Sequence, residues 1–264
     1  TDDWSWERSG PHPPVATSIC LFALDPAVGT GEGVIARALP GTPVRAVSAL
    51  GSSGDGQAYA LAIAPGMGAV VIRVSPEAGL EVAGVLEGSS TTSVEAAVDG
   101  RRVVLASRDV EFLDLADPLE PVRIARLPTA GVVRGVAARD GIAYIADSRD
   151  GLLVHSMDSA AGRLGRLPET GAGRLRLHGS LLYLLEEHHP EPNTMRLIDV
   201  ADPARPKDLL GGESTYSLLR GAQDLALSAD LCFGARGRTL SVVDIRDVLW
   251  PETRSEYPSD WPGQ

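Results

Sequence analysis

The chain is short of the features that most often announce a function. Its 264 residues include only two cysteines, Cys20 and Cys232, too few and too far apart for a four-thiolate zinc site. Aromatic residues make up 5%, which leaves little material for a sugar-binding or base-stacking surface. No apolar run approaches the roughly 20 residues that a membrane helix needs. Positive charge is in deficit: 24 Lys and Arg face 35 Asp and Glu, for a net charge of −11. Phosphate repulsion then opposes a general nucleic-acid partner. Cations and basic partners are compatible with that charge, and an acidic surface also serves solubility. No 3.6-residue apolar stripe of useful length occurs, so helices are not expected. Catalytic signatures are missing as well. Gly29-Thr30-Gly31-Glu32-Gly33 has no Lys-Ser/Thr and no strand-to-helix context, so it reads as a hairpin loop. Gly51-Ser52-Ser53-Gly54-Asp55-Gly56 reads as a flexible insert. There is no Gly-x-Ser-x-Gly elbow and no EF-hand loop closed by Glu.

What the chain does have is a repeated phrase. Asp114-Leu115-Ala116-Asp117-Pro118-Leu119-Glu120-Pro121 recurs as Asp199-Val200-Ala201-Asp202-Pro203-Ala204-Arg205-Pro206. Weaker copies place their first polar residue at Asp25, Ser75, Asp158 and Asp244, so that the intervals along the series are 50, 39, 44, 41 and 45. Hydrophobic residues make up 44%, enough for a folded core and too many for a disordered chain. Short apolar runs are cut by 29 glycines and 19 prolines, which is turn chemistry between strands. A period of forty-odd residues built from strand signals alone predicts an all-β protein, a β-propeller of four-stranded antiparallel blades.

The module boundaries follow from the runs. Residues 1–14 form an N-terminal tail, and residues 15–264 form a single propeller domain. It contains a half-module over 15–42 and full modules over 43–90, 91–131, 132–173, 174–220 and 221–264. In the clearest unit, Val133–Ala138 leads through Arg139-Asp140-Gly141 to Ile142–Asp147, then through Ser148-Arg149-Asp150-Gly151 to Leu152–Met157, with a fourth strand near Arg163–Leu167. Asp-Gly supplies the positive φ that a tight hairpin needs. Five modules and a half predict six blades, with five as the alternative, in a ring closed by strands near the two termini. Closure removes edges that would recruit other chains. Asp114, Asp117, Asp199 and Asp202 are expected to close turns by accepting backbone N–H bonds, and the following Pro ends the strand pairing.

These residues resemble the LVIVD-repeat pattern of bacterial β-propellers. The likeness is carried by Gly131 to Asp158, especially Ile142-Ala143-Tyr144-Ile145-Ala146-Asp147 and Gly151-Leu152-Leu153-Val154, and continues in Leu197–Pro203 and Leu240–Ile245. It covers roughly residues 43–250. It departs at Asp109-Val110 and Asn193-Thr194, where the pattern has Gly-Leu, and at His155-Ser156, which interrupt the apolar run. The resemblance implies an exported, periplasmic or cell-surface bacterial protein and an interaction scaffold, and it marks no active site. The chain opens on Thr1-Asp2-Asp3 without a charged-then-apolar signal segment, so a mature or trimmed product is expected.

The leading expectation is a non-catalytic scaffold that binds a protein or cell-surface component through its loop face, with no cofactor. The candidate contacts are Arg108, Asp109, Arg149, Asp150, Arg236 and Arg238 in loops between second and third strands, and Tyr216 and Arg220 between blades; Tyr and Arg are enriched at binding hot spots. The first alternative is a metal-dependent hydrolase or lyase at the top face. There Glu187, His188 and His189, within Glu186-Glu187-His188-His189-Pro190-Glu191-Pro192-Asn193, could hold a divalent metal, although adjacent His residues on an extended chain point opposite ways. The second alternative is a structural domain of a larger surface protein. Cys20 and Cys232 lie in apolar strands near opposite ends, and either staple the ring as a disulfide or remain buried thiols. His155 and His178 are read as structural. Trp4, Trp6, Trp250 and Trp261 are expected to pack where the termini meet.

Overall fold

Apolar runs too short for helices and bounded by Gly, Asp and Pro form strands. A computed structural model describes residues 19–24, 31–38, 46–52, 58–64, 68–75, 79–85, 95–106, 109–118, 120–168, 170–187, 193–209, 219–228 and 230–258, with side chains from residue 58 onward except 75, 79 and 258. Twenty-two strands and no α-helix occur among the described residues. The strands form one two-stranded sheet and five four-stranded antiparallel sheets, each a simple meander in chain order. The chain divides into two compact units, Thr1–Leu127 and Pro128–Gln264.

In the first unit β1 (Ile19–Leu24) pairs, among the described residues, only with β2 (Gly31–Ala38). The next sheet holds β3 (Ala46–Ser52), β4 (Ala58–Ala64), β5 (Gly68–Ser75) and β6 (Gly79–Val85). A third holds β7 (Glu95–Asp99), β8 (Arg102–Ala106), β9 (Val110–Asp114) and β10 (Val122–Leu127). Tyr59, Leu61 and Ile63 of β4 pack with Val103 and Leu105 of β8 and Leu113 of β9. Ala62 and Ala64 point the other way and pack with Val70 and Ile72.

The second unit holds three sheets. They are β11 (Val133–Arg139) to β14 (Arg163–Leu167), with β12 (Ile142–Asp147) and β13 (Gly151–Ser156) between; β15 (Gly173–His178), β16 (Leu181–Glu186), β17 (Thr194–Asp199) and β18 (Lys207–Asp208); and β19 (Asp224–Ser228), β20 (Leu231–Arg236), β21 (Thr239–Asp244) and β22 (Glu252–Pro258). The middle sheet is covered on both faces. Leu182 and Leu184 of β16 pack with Tyr144, Leu152 and Val154 of the preceding sheet. Tyr183 and Leu185 pack with Leu225, Cys232 and Val243 of the following one. Alternate residues of one strand thus enter two cores, which is why the second strands read as unbroken apolar runs. Each such side chain taken from water contributes roughly 1.5–3 kcal/mol. Fourth strands are more open: Val122 of β10 and Leu164 of β14 are exposed.

Turn chemistry sets the register. Asp140 and Gly141 both have positive φ, 54° and 74°, as a two-residue hairpin requires, and Arg139 pairs with Ile142 across it. The expected turn-closing role is observed for Asp114, Asp199 and Asp202. Asp114 accepts from the N–H of Ala116 at 2.8 Å, Asp199 from Ala201 at 2.9 Å and Asp202 from Ala204 at 3.0 Å. In four sheets the residue just past the third strand donates back to the first hairpin: Leu115 to Arg101, Met157 to Gly141, Val200 to Ser180 and Ile245 to Asp230. First strands of neighbouring sheets approach closely. A Cβ on Gly135 of β11 would lie 2.0 Å from the Gly173 carbonyl oxygen of β15.

Candidate functional site

The loops at one end of the second unit's sheets are held by carboxylates at the ends of second strands. Asp147, the last residue of β12, is fully buried. Its Oδ2 accepts from the N–H of Gly131 at 2.9 Å, and Oδ1 from Arg149 at 2.8 Å and Asp150 at 2.7 Å. Glu186, the last residue of β16, repeats the device. Its Oε1 accepts from the N–H of Gly171 at 2.5 Å and from Arg196 Nε at 2.7 Å, while Arg196 Nη1 reaches Asp208 at 2.9 Å. Burial disfavours the charged form of Arg196, but the bonds to Glu186 and Asp208 outweigh it and raise the pKa. In both sheets one acid holds the loop that enters the first strand; Asp147 also closes the turn after the second strand, while Glu186 reaches the third strand through Arg196.

Further bonds join successive loops into one surface. Arg134 of β11 pairs with Glu187 at 3.0 Å. Asn193 Nδ2 donates to the Ala222 carbonyl at 2.8 Å, and the Gly221 N–H to the Asn193 carbonyl at 2.9 Å. Arg176 of β15 donates to Asp224 at 2.9 Å and to the Leu225 carbonyl at 2.8 Å. Arg236 Nη1 donates to the Arg220 carbonyl at 3.3 Å. Arg149, Glu187, Arg220, Arg236 and Arg238 are all exposed along this surface.

Of the residues expected to form the site, Asp150 pairs with Arg166 at 3.0 Å as well as closing its turn. In the first unit, Asp109 pairs with Arg126 at 2.5 Å. Arg108, Tyr216, His188 and His189 lie outside the described residues, so of the expected metal ligands only Glu187 is placed. Cys232 is buried in β20 as a thiol, its pKa pushed up to about 12 by burial. Cys20, its partner in the disulfide alternative, lies in β1, whose side chains are outside those described. His155 is buried, with Nδ1 at 2.9 Å from the Ser156 carbonyl, as its structural reading expects. Asp147 and Glu186 were not singled out as site residues, because each closes an apolar run and reads as its last strand position. The available signal was their shared place, immediately after Ala146 and Leu185 at the ends of successive second strands.

Trp250 corrects an expectation. It does not pack into a junction of termini but is 78% exposed on the turn between β21 and β22; Trp4, Trp6 and Trp261 lie outside the described residues. The turn borders an open cleft of about 450 Å³ lined by Asp244, Arg246, Asp247, Trp250 and Glu252. Asp244 accepts from Arg246 Nη2 at 2.7 Å and Arg254 Nε at 2.9 Å. Those bonds, Arg246 first, hold its carboxyl well below the usual carboxylate range.

Comparison with known proteins gives the fold alone. No protein-family model matches the chain, and no curated protein matches it. Solved structures do. A proposed 6-phosphogluconolactonase from Bacteroides fragilis has a TM-score of 0.66 at 10% identity, covering 94% of this chain and 81% of that one. A chain of a nidogen/laminin complex has a TM-score of 0.57 at 14% identity, covering 92% of each. The computationally designed Ika8 protein has a TM-score of 0.57 at 11% identity, covering 92% of this chain and 82% of that one. Together with the run of four-stranded meanders, this makes the chain a β-propeller protein.

Proposed function

We propose that this chain is a six-bladed propeller of the LVIVD-repeat kind, exported to the cell envelope, and that it is a non-catalytic scaffold binding a protein or cell-surface component through its loop face. The pairing of β1 with β2 as half a blade supports six blades over five, the missing strands coming from near the two termini. The observation that carries the binding reading is the capped loop surface. Asp147 fixes the turn that presents Arg149, Glu186 ties the loop entering its sheet beside exposed Glu187, and the Arg236 bond to the Arg220 carbonyl joins the loops carrying Arg220, Arg236 and Arg238; a surface ordered before binding loses less entropy on association. The likeness to a chain of a nidogen/laminin complex is in keeping with use of the fold in protein assembly.

The test is zero-length cross-linking of the purified chain in envelope extract, followed by identification of the linked peptides. Links at Asp150 or Glu187 are expected to join one recurring partner. An Arg149→Glu, Arg236→Glu variant is expected to lose it, since rim charges steer encounter. Retention of the partner by that variant would refute the reading.

A further inference from the structure

The turn between β21 and β22 has Val248 where its counterparts have Pro118 and Pro203, and it differs most in what it shows to solvent. Asp244-Ile245-Arg246-Asp247-Val248-Leu249-Trp250-Pro251 aligns residue for residue with the copies beginning at Asp114 and Asp199. Two hydrogen bonds recur in all three. The first Asp accepts from the residue two further on, and the second Asp's carbonyl accepts from the residue three further on: Glu120, Arg205 and Trp250. Side chains differ. Ala116 and Ala201 become Arg246, and Glu120 and Arg205 become Trp250. A turn that closes equally well with Glu or Arg has no folding need for an indole. Trp250 is nonetheless 78% exposed and its neighbour Leu249 47% exposed, apolar area left in water beside an open cleft.

The electrostatics of the cleft select the occupant. Arg246 and Arg254 both direct their guanidinium bonds to Asp244. Asp230 and Glu252 act on the same Arg246, and Asp247 lines the wall after accepting from the N–H groups of Leu249 and Trp250. The cleft lining and its ion pairs thus bring three carboxylates, Asp244, Asp247 and Glu252, together with two guanidinium groups, in a chain of net charge −11. A Trp face flanked by surplus carboxylate favours a cation with an apolar stem.

We propose that this cleft docks a basic segment of a protein partner, with a Lys or Arg side chain laid on Trp250 and its charged head toward Asp247 and Glu252. The site lies at the end of its sheet opposite the Arg236–Arg238 loop, because Asp244 pairs beside Leu231 while Thr239 pairs beside Arg236. It does not rest on the loop-face reading, and either can fail alone.

Fluorescence anisotropy on the whole chain tests it, with labelled Gly-Arg, Gly-Lys and Gly-Glu repeat peptides of equal length. Ionic strength is held near 0.15 M, where the Debye length of about 8 Å damps long-range attraction. The two basic peptides are expected to bind and the acidic one is not. Trp250→Ala is expected to weaken binding roughly fivefold or more. Trp250→Arg, which copies the residue this turn carries at Arg205, gives the same loss in a side chain the turn is known to accommodate. The double variant Asp247→Asn, Glu252→Gln is expected to lose at least as much. Asp140→Asn, on a distant exposed hairpin, removes charge elsewhere and is expected to change little. No binding of either basic peptide, an affinity of Trp250→Ala within about twofold of the parent, or an equal loss from Asp140→Asn would overturn the proposal.

Discussion

Removal of the Asp147 carboxylate tests the loop-capping account at its centre. The side chain is fully buried and serves three backbone donors, Gly131, Arg149 and Asp150, at 2.7–2.9 Å. A hydrogen bond to a charged group contributes roughly 1.5–3 kcal/mol net, and a donor left buried without a partner costs about 1–3 kcal/mol. Asp147→Ala strips all three, although exposed Ser148 and Arg149 let water reach part of the gap. The expected loss is therefore about 3–5 kcal/mol, below the sum of three independent bonds. Asp147→Asn retains one oxygen for Arg149 and Asp150 but turns an NH2 toward the Gly131 N–H, and it is expected to cost about 1–3 kcal/mol. At roughly 2–4 °C per kcal/mol for a domain of this size, the Ala variant melts about 6–20 °C lower. Urea denaturation gives the free energies, and native-state hydrogen exchange gives the site: the amides of Gly131, Arg149 and Asp150 should all exchange faster in Asp147→Ala. An Ala variant within about 0.5 kcal/mol of the parent, with those three amides still protected, would refute the reasoning.

Gly135→Ala would set a methyl 2.0 Å from the Gly173 carbonyl oxygen; forcing β11 and β15 apart is expected to cost about 1–3 kcal/mol or more in urea denaturation, and an unchanged midpoint would contradict the close approach. In a Cys20→Ser background Cys232, with its thiol pushed up to about 12 by burial, should resist alkylation at pH 8 until the chain unfolds, since the thiolate is the nucleophile; rapid modification of the native protein would contradict its burial. Asp244 is held below the usual carboxylate range by Arg246 and Arg254. Its contribution to stability is then complete above the unfolded value of about 3.9 and is lost as pH falls through the lower folded value. Acid titration of stability should show that loss in the parent and a flatter curve in Asp244→Asn. Arg196→Met leaves Glu186 and Asp208 without their shared cation and is expected to cost about 3–5 kcal/mol, read by thermal melting.

Much of the fold was legible because each blade is written in local chemistry. β14 spans Arg163–Leu167, the bounds that its short Arg-flanked run suggests, and the Asp140-Gly141 hairpin follows from the φ those two residues tolerate. The Asp-x-x-Asp turns close as their side chains allow. Among the described residues β18 covers Lys207–Asp208, where Asp208 is drawn into the pair with Arg196, a tertiary contact that strand propensity does not carry. The capping role of Asp147 and Glu186 was hidden for a related reason. In sequence each is one polar residue ending an apolar run, and its purpose depends on a loop 15 or 16 residues upstream returning to it. The exposure of Trp250 was missed because aromatic residues near chain ends were assigned to a junction, whereas its alignment with Glu120 and Arg205 on an exposed turn gave the better signal.

We propose that the capped loop surface is where a partner sits. Hydrogen exchange of the chain alone and in complex with its cross-linked partner measures this directly. The account predicts added protection at Arg149–Asp150, Glu187 and Arg236–Arg238. Protection confined to the fourth strands, with those loops unchanged, would contradict it.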